Sequence, residues 1–367
     1  MLWMLIRWLR IDTYTTPTPT PDLPATFISV IVVARNEEEN IVHLLQDIEN
    51  QRYATGQYEV IIVDDHSSDR TVEVVEAFAI EASFRVRILK LADLVQQPLP
   101  DGNYKKTGIE WGVREAQGEL IVTTDGDCRV GKNWLQTYGT FYASSGAKFI
   151  SGPVTFFDEK SVFEKMQTVE FASLIGSGAA TLAMGIPTMC NGANLAYEKA
   201  VFEEVSGYNG VSGTASGDDL FLLHKVYTKY ADKVFFLKSQ EAIVSTHAKA
   251  TIQEFYWQRK RWAGKWNLYK DKRVTLLAVF VFVCNASLTA SLVALTCGFL
   301  PLNLFFAGLG LRFGVEFIML ASVLTFLQKP QASWWIIPLQ AFYFLYVTFF
   351  GLVAQKKGYV WKERNLQ

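Results

Sequence analysis

The chain has little charge of either sign. Its 35 lysines and arginines stand against 36 aspartates and glutamates, a net charge of -1. A nucleic-acid binder carries a basic excess or a basic stripe, so no nucleic acid is expected among the partners. Cysteine is scarce too. Cys128, Cys190, Cys284 and Cys297 are scattered and form no C-x-x-C pair, which excludes a disulfide framework and a thiolate metal site. They read as reduced thiols in a cytosol-facing or membrane-buried protein. Charged residues make up 19%, against roughly 25% in soluble domains. With half the residues hydrophobic, disorder is excluded over most of the length, and the balance points to a protein partly in membrane.

What is present falls into four stretches. Residues 1–26 join a short apolar segment bearing two arginines, read as a helix at a bilayer surface, to the Thr/Pro tract Thr13–Pro24, read as an extended linker. Residues 27–270 then alternate strand and helix patterns. Phe27–Ala34 is a short apolar, β-branched run of the kind buried on both faces, and Tyr58–Val63, Val86–Leu91 and Leu120–Thr124 read as a second, third and fourth strand. Between them, Ile41, Leu44, Leu45 and Ile48 share one helix face, and Thr71–Phe78 and Lys105–Ala116 read as further helices. Such alternation predicts an α/β fold of nucleotide-binding type with a mainly parallel sheet. Phe171–Met189 is moderately apolar and reads as a helix lying at the membrane interface.

Residues 274–354 differ in kind. Val274–Leu300 has no charge over a length that spans a bilayer. Leu302–Leu327 holds only Arg312 and Glu316, four apart on one helix face, and Ala332–Ala354 is a third apolar run. Two to three transmembrane helices are expected, followed by a basic tail at 355–367. A charged pair in such a span must bond to itself or face protein. Lys260, Arg261, Lys265, Lys270, Lys272 and Arg273 precede the first run, which predicts a cytoplasmic α/β domain.

In an open parallel sheet, ligands bind beyond the carboxyl ends of the strands. After the first strand comes Ala34-Arg35-Asn36-Glu37-Glu38-Glu39-Asn40. It has neither the G-x-G-x-x-G of a dinucleotide fold nor the G-K-[ST] of a P-loop, so dehydrogenase and NTPase readings fall. After the second strand stand Asp64 and Asp65, then Ser68 and Asp69, either of which suits the cap of the next helix. Two adjacent acids exceed what a cap needs, and a carboxylate there can accept from a base N–H and a ribose hydroxyl. After the fourth strand comes Asp125-Gly126-Asp127. Two carboxylates at a strand end suit Mg²⁺ or Mn²⁺, which keeps waters and completes its shell with substrate phosphates.

The series VDDHSSDRT, KKTGIEWGVREAQGELIVTTDGDC, NGANLAY, SGDDLFLLHK and Gln258-Arg259-Lys260-Arg261-Trp262 resembles the inverting family-2 glycosyltransferases of GT-A fold. More narrowly it is similar to their membrane-bound Q-x-x-R-W branch, which includes cellulose, chitin, hyaluronan and poly-N-acetylglucosamine synthases and ceramide glucosyltransferase. The resemblance covers Phe27 to about Trp266. It implies that Asp64 and Asp65 contact the uridine of a nucleotide-sugar, with Lys105 (or Lys106) approaching the same nucleotide. Asp125 and Asp127 would hold the metal, Asp127 the more directly. Asp219, or Asp218 beside it, would be the general base. Gln258, Arg261 and Trp262 would close over diphosphate and acceptor. The implied activity is inverting transfer of a sugar, UDP-linked, to a lipid or glycan acceptor at the cytoplasmic membrane face. A processive polysaccharide synthase subunit and an inactive membrane scaffold are the alternatives.

Overall fold

The computed structural model describes residues 1–18, 26–95, 99, 103–210, 217–263, 271–353, 359–361 and 364–366. Much of the Thr/Pro tract and of the basic tail, together with Lys265, Trp266 and Lys270, lies outside the described residues. The chain divides into two compact units, one of Asp12–Phe157 with Met189–His247, the other of Met1–Ile11, Asp158–Thr188 and Ala248–Gln367.

The first unit is built on a seven-stranded sheet. Strands β1 (Ile28–Ala34), β2 (Tyr58–Asp64), β3 (Arg85–Lys90) and β4 (Leu120–Asp125) run parallel in the order β3-β2-β1-β4. The β-branched runs of β1 and β2 are buried almost throughout, as covering on both faces requires. Their one-face helices follow: α2 (Ile41–Glu49), which buries Ile41, Leu44, Leu45 and Ile48, and α3 (Thr71–Glu81). The sheet continues less regularly. It adds β8 (Leu195–Glu198), antiparallel to both neighbours, then β6 (Phe149–Ser151) and β9 (Val234–Phe236). A separate small sheet joins β5 (Arg129–Val130), β10 (Val244–His247) and β7 (Val154–Phe157), and α4 (Leu91–Leu94), α6 (Trp134–Ser145) and α8 (Lys199–Glu204) belong to the same unit.

Register fixes the functional rim. Ala34 pairs with Asp64 across β1 and β2, and Val33 with Asp125 across β1 and β4. The two acid-bearing strand ends therefore flank the same end of β1. Helix α5 (Tyr104–Glu115) lies close against this strand because Gly108 and Gly112 share the facing side. A Cβ on Gly112 would meet Ile31 Cγ2 at 2.6 Å, and one on Gly108 would meet Val33 Cγ2 at 3.0 Å. That close approach brings the first turn of α5 to the rim. Helix α9 (Asp218–Lys229) starts with its two aspartates in the first turn, where the helix dipole favours negative charge.

The second unit is helical: α1 (Leu2–Arg10), α7 (Val162–Ala183), α10 (Ile252–Ala263), α11 (Lys272–Thr296), α12 (Leu302–Phe326) and α13 (Ile336–Val353). Helix α7 begins nine residues earlier than the apolar run Phe171–Met189 predicts and ends six residues sooner. A capping box sets its start, with the Ser161 hydroxyl accepting from Glu164 N–H and the Glu164 carboxylate accepting from Ser161 N–H. Past its end, Gly185 adopts a φ of +78° and Pro187 follows, so the helix cannot continue. Three helices, spanning Lys272–Thr296, Leu302–Phe326 and Pro330–Val353, are long and apolar enough to cross a membrane. The charged pair in the second is paired as its setting demands. Arg312 Nε donates to Glu316 Oε1 at 2.6 Å, and Arg312 Nη1 to Asn285 Oδ1 on α11 at 2.9 Å.

Candidate active site

Asp64 and Asp65 at the end of β2 are both buried, Asp65 completely. The Asp64 carboxylate accepts from Ser67 N–H at 3.3 Å. Asp65 donates its own N–H to Ala34 O at 2.8 Å, and its Oδ1 lies 2.9 Å from His66 Nδ1. Arg35 clasps the turn from the end of β1, its Nη1 donating to the carbonyls of Asp65 and His66 at 2.9 and 3.0 Å. His66 takes a φ of +57°, a strained setting for a non-glycine residue. Its ring packs edge-on against Tyr104, 5.3 Å between centroids.

The loops after β1 and β2 are zipped together by polar groups. The N–H groups of Asn36, Glu37 and Glu38 donate to Ser67 Oγ (3.0 Å), Thr71 Oγ1 (2.8 Å) and Asp69 Oδ2 (3.1 Å). In return, Ser68 N–H donates to Asn36 Oδ1 and Arg70 N–H to Glu38 Oε2, both at 2.9 Å. Asp69 also accepts from the Thr71 amide and hydroxyl. Its partial burial works to raise its pKa, but these hydrogen bonds outweigh it and hold the carboxyl below its ordinary value. The loop needs no glycine because side chains satisfy its amides. This function of Asn36-Glu37-Glu38 is missed by strand-and-motif reading. Its sequence signal was two polar loops of matching length after neighbouring strands.

The Asp125-Gly126-Asp127 turn packs directly on that zipper. A Cβ at Gly126 would meet Glu37 Cγ at 3.1 Å, which explains the residue between the two acids. Asp125 and Asp127 are half-buried. Lys105 Nζ, from the first turn of α5, lies 2.6 Å from Asp125 Oδ1 and 4.0 Å from Asp218 Oδ2. Burial opposes the ammonium charge, but the fields of Asp125, Asp218 and Asp219 overcome it and push the lysine pKa above its ordinary value. Lys106 points elsewhere, over the Phe221 ring at 5.2 Å.

The turn before β8 closes the group. Gly192 N–H donates to Asp219 Oδ2 at 3.2 Å, and the other oxygen of Asp219 accepts from Leu220 N–H at 2.7 Å. A side chain at Gly192 would crowd Asp218 Oδ2, 3.3 Å from its Cβ. Asn194 pins this turn. Its Oδ1 accepts from Trp134 Nε1 and Tyr138 OH, and its Nδ2 donates to the carbonyls of Pro153 and Ala242. Lys105, Asp125, Asp218 and Asp219 thus converge. Asp65 is linked to them through His66 and Tyr104, the residue next to Lys105.

Cys128 bears on the metal question. Burial first, then the charges of Asp127 and Asp125, push its thiol well above its ordinary pKa, and a thiol is in any case a soft donor that suits a hard divalent cation poorly. The donors left are carboxylate oxygens. Among the described residues no group of three or more His, Cys, Asp or Glu side chains could hold a metal by itself. Two carboxylates fit a hard divalent cation whose shell is finished by water and phosphate oxygens.

Gln258, Arg261 and Trp262 lie in the helical unit, all three half-buried on α10. Gln258 Oε1 accepts from Arg259 Nη1 at 2.5 Å. The Trp262 ring stands 4.3 Å from the Arg259 guanidinium and 5.9 Å from the ring of Phe171.

Comparison with known proteins agrees with this architecture. The model for "Glycosyl transferase family 2" matches residues 29–206, and that for "Glycosyl transferase family group 2" matches residues 120–354. The chain is 34% identical over 139 residues to glycosyltransferase AglE of Haloferax volcanii, covering 37% of this chain and 41% of that one. It is 27% identical over 247 residues to beta-monoglucosyldiacylglycerol synthase of Trichormus variabilis, covering 67% and 50%. It thus spans about half the length, or less, of these curated relatives. In fold it is similar to mannosyltransferase PcManGT of Pyrobaculum calidifontis, solved with GDP-Man and Mn²⁺, with a TM-score of 0.57, 17% identity and 93% of each chain covered. With a family model matched over well more than half of its residues, a mainly parallel sheet of GT-A type, and acids gathered at the rim of that sheet, the chain belongs to the family 2 glycosyltransferases.

Proposed function

We propose that this protein is an inverting glycosyltransferase that moves a sugar from a nucleotide-sugar, a UDP-sugar, to a lipid or glycan acceptor at the cytoplasmic face of a membrane. The observation that carries the reading is the convergence of Lys105 with Asp125, Asp218 and Asp219 at the carboxyl end of a parallel sheet. Asp64 and Asp65 would hold the nucleoside, their loop already set by Arg35 and the polar zipper. Lys105 would meet the diphosphate, since an ammonium kept charged among acids is poised to turn to an incoming anion. Asp219, with Asp218 beside it, would take the proton of the attacking hydroxyl, a task worth typically about 10²–10⁴-fold in rate. Asp125 and Asp127 would hold Mg²⁺ or Mn²⁺, which would supply charge stabilisation on the departing diphosphate. One in-line displacement breaks the bond from the anomeric carbon to phosphate oxygen as the acceptor oxygen bonds, inverting the centre with no second nucleophile.

Two features support the membrane setting. The apolar helices leave large side chains exposed, Leu276, Phe280 and Phe342 among them, which lipid would cover. Lys260, Arg261, Lys272 and Arg273 cluster before and at the start of the first of them, the charge pattern of a cytoplasmic flank. The relative that makes a glucosyldiacylglycerol supports a lipid acceptor. Nucleotide release is the test, measured on the full chain extracted with native lipids over a panel of UDP- and GDP-sugars, with Mg²⁺, Mn²⁺ or a chelator. Release from one UDP-sugar that needs both cation and lipid supports the reading. No release from any donor overturns it, and release from a GDP-sugar alone corrects the base.

A further inference from the structure

Inside the helical unit, Arg259 is buried with Glu170, at 3% and 5% side-chain exposure. Its Nε donates to both Glu170 oxygens at 3.1 Å and its Nη2 to Oε2 at 2.5 Å. Glu170 also accepts from Tyr346 OH at 2.9 Å, so α7, α10 and α13 meet at one carboxylate. The guanidinium is flanked by aromatic rings, Phe255 at 4.5 Å and Trp262 at 4.3 Å. Its remaining nitrogen, Nη1, donates to Gln258 Oε1. A planar fork with five donors can meet all these demands at once, and a lysine cannot.

Burying such a pair is rarely a source of stability, since apolar replacements of similar volume are often as stable or more so. The contacts point to another use. Gln258 and Trp262 are the first and last residues of the Q-x-x-R-W segment, and both bear on Arg259. We infer that Arg259 and Glu170, steadied by Tyr346, are positioning residues that set the side chains of Gln258 and Trp262 for transfer. The inference rests on the proposal that this segment of α10 closes over diphosphate and acceptor.

The test uses full-length protein in its lipids and reads transfer per folded molecule, binding of UDP, and thermal stability. Glu170→Gln leaves Arg259 buried and uncompensated and lowers stability, so it is not decisive alone. The informative variant is the neutral pair Glu170→Gln with Arg259→Gln, which removes both charges but restores no stacking on Trp262. A positioning role gives near-native melting and UDP binding with kcat/KM for transfer down at least tenfold, and Arg259→Lys falls as far. A merely structural role gives a neutral pair whose folded molecules transfer at the native rate, and that overturns the inference. Trp262→Ala separates this from the underlying reading. Native transfer in Trp262→Ala overturns the role of the segment and the inference with it. Loss of transfer in Trp262→Ala beside native transfer in the neutral pair overturns the inference alone.

Discussion

The sheet rim and the Arg259–Glu170 cluster use charge in opposite ways. At the sheet rim, Lys105, Asp125 and Asp218 keep 24%, 37% and 13% of their side chains exposed, so water and ligand can reach and rearrange them. In the helical unit the pair Arg259 and Glu170 is sealed and fully bonded, and Glu316 is buried beside Arg312. Open charges can change partner during a reaction. Sealed charges hold one geometry, because a lone one is too costly to leave in a low-dielectric interior. The lesson is that the same ion-pair chemistry serves turnover where it is wet and architecture where it is dry.

If that contrast holds, substitutions in the two regions separate activity from stability. The largest effect is expected from Asp125→Asn, which removes a proposed cation ligand and the partner of Lys105. Transfer should fall by about 10²-fold or more, with the melting temperature nearly unchanged; a collapse of the fold would break the comparison. Glu316→Ala should do the reverse. It strands Arg312 in the helical unit and should cost about 3 kcal/mol of stability, read by thermal unfolding, while changing Arg312 and Glu316 together to leucine should cost less. Gly112→Ala should fall between the two. Its methyl would press on Ile31 at 2.6 Å, costing about 1–3 kcal/mol, and by lifting α5 from β1 it should raise the KM for donor.

The smallest effect concerns pH. Burial acts to raise the Asp69 pKa, but the hydrogen bonds from Thr71 and the Glu38 amide together outweigh it and hold the carboxyl below its ordinary value. A group with depressed folded pKa adds stability above its unfolded pKa of about 3.9, and that stability is lost as pH falls through the lower folded value. Asp69→Asn should therefore flatten the acid limb of a melting-temperature profile below about pH 4 and leave the neutral plateau almost unmoved. Because Asp69 is only partly buried and its bonds are shared with solvent, the change should be slight.

Much of the rim was legible in the sequence. The runs FISVIVVA and YEVIIV announce buried strands by β-branching, and the two acids directly after YEVIIV stand out because neither capping nor solvation needs two together. The parallel half of the sheet, α2 and α5 follow from the same periodicities, and the charged pair Arg312 and Glu316 was expected either to bond to itself or to face protein. Other features depend on partners distant in the chain. Strands β6 and β9 are three residues each, too short for a period, and the antiparallel turn of β8 is set by Asn194 and its four buried bonds. The capping box at Ser161 was readable as S-x-x-E, but the apolar run further on draws the eye past it. Glu170 looks in sequence like a stray acid on an apolar helix, and only the fold joins it to Arg259 and Tyr346. Lys105 and Lys106 could not be told apart by motif spacing, whereas geometry sends one to the carboxylates and the other to Phe221.

The most direct measurement is UDP binding and sugar transfer side by side on Asp219→Asn, whose amide oxygen can still accept from Gly192 N–H while Leu220 N–H loses its side-chain acceptor. Donor binding should stay close to native while transfer falls at least about a hundredfold. Transfer at the native rate in that variant would contradict Asp219 as the general base.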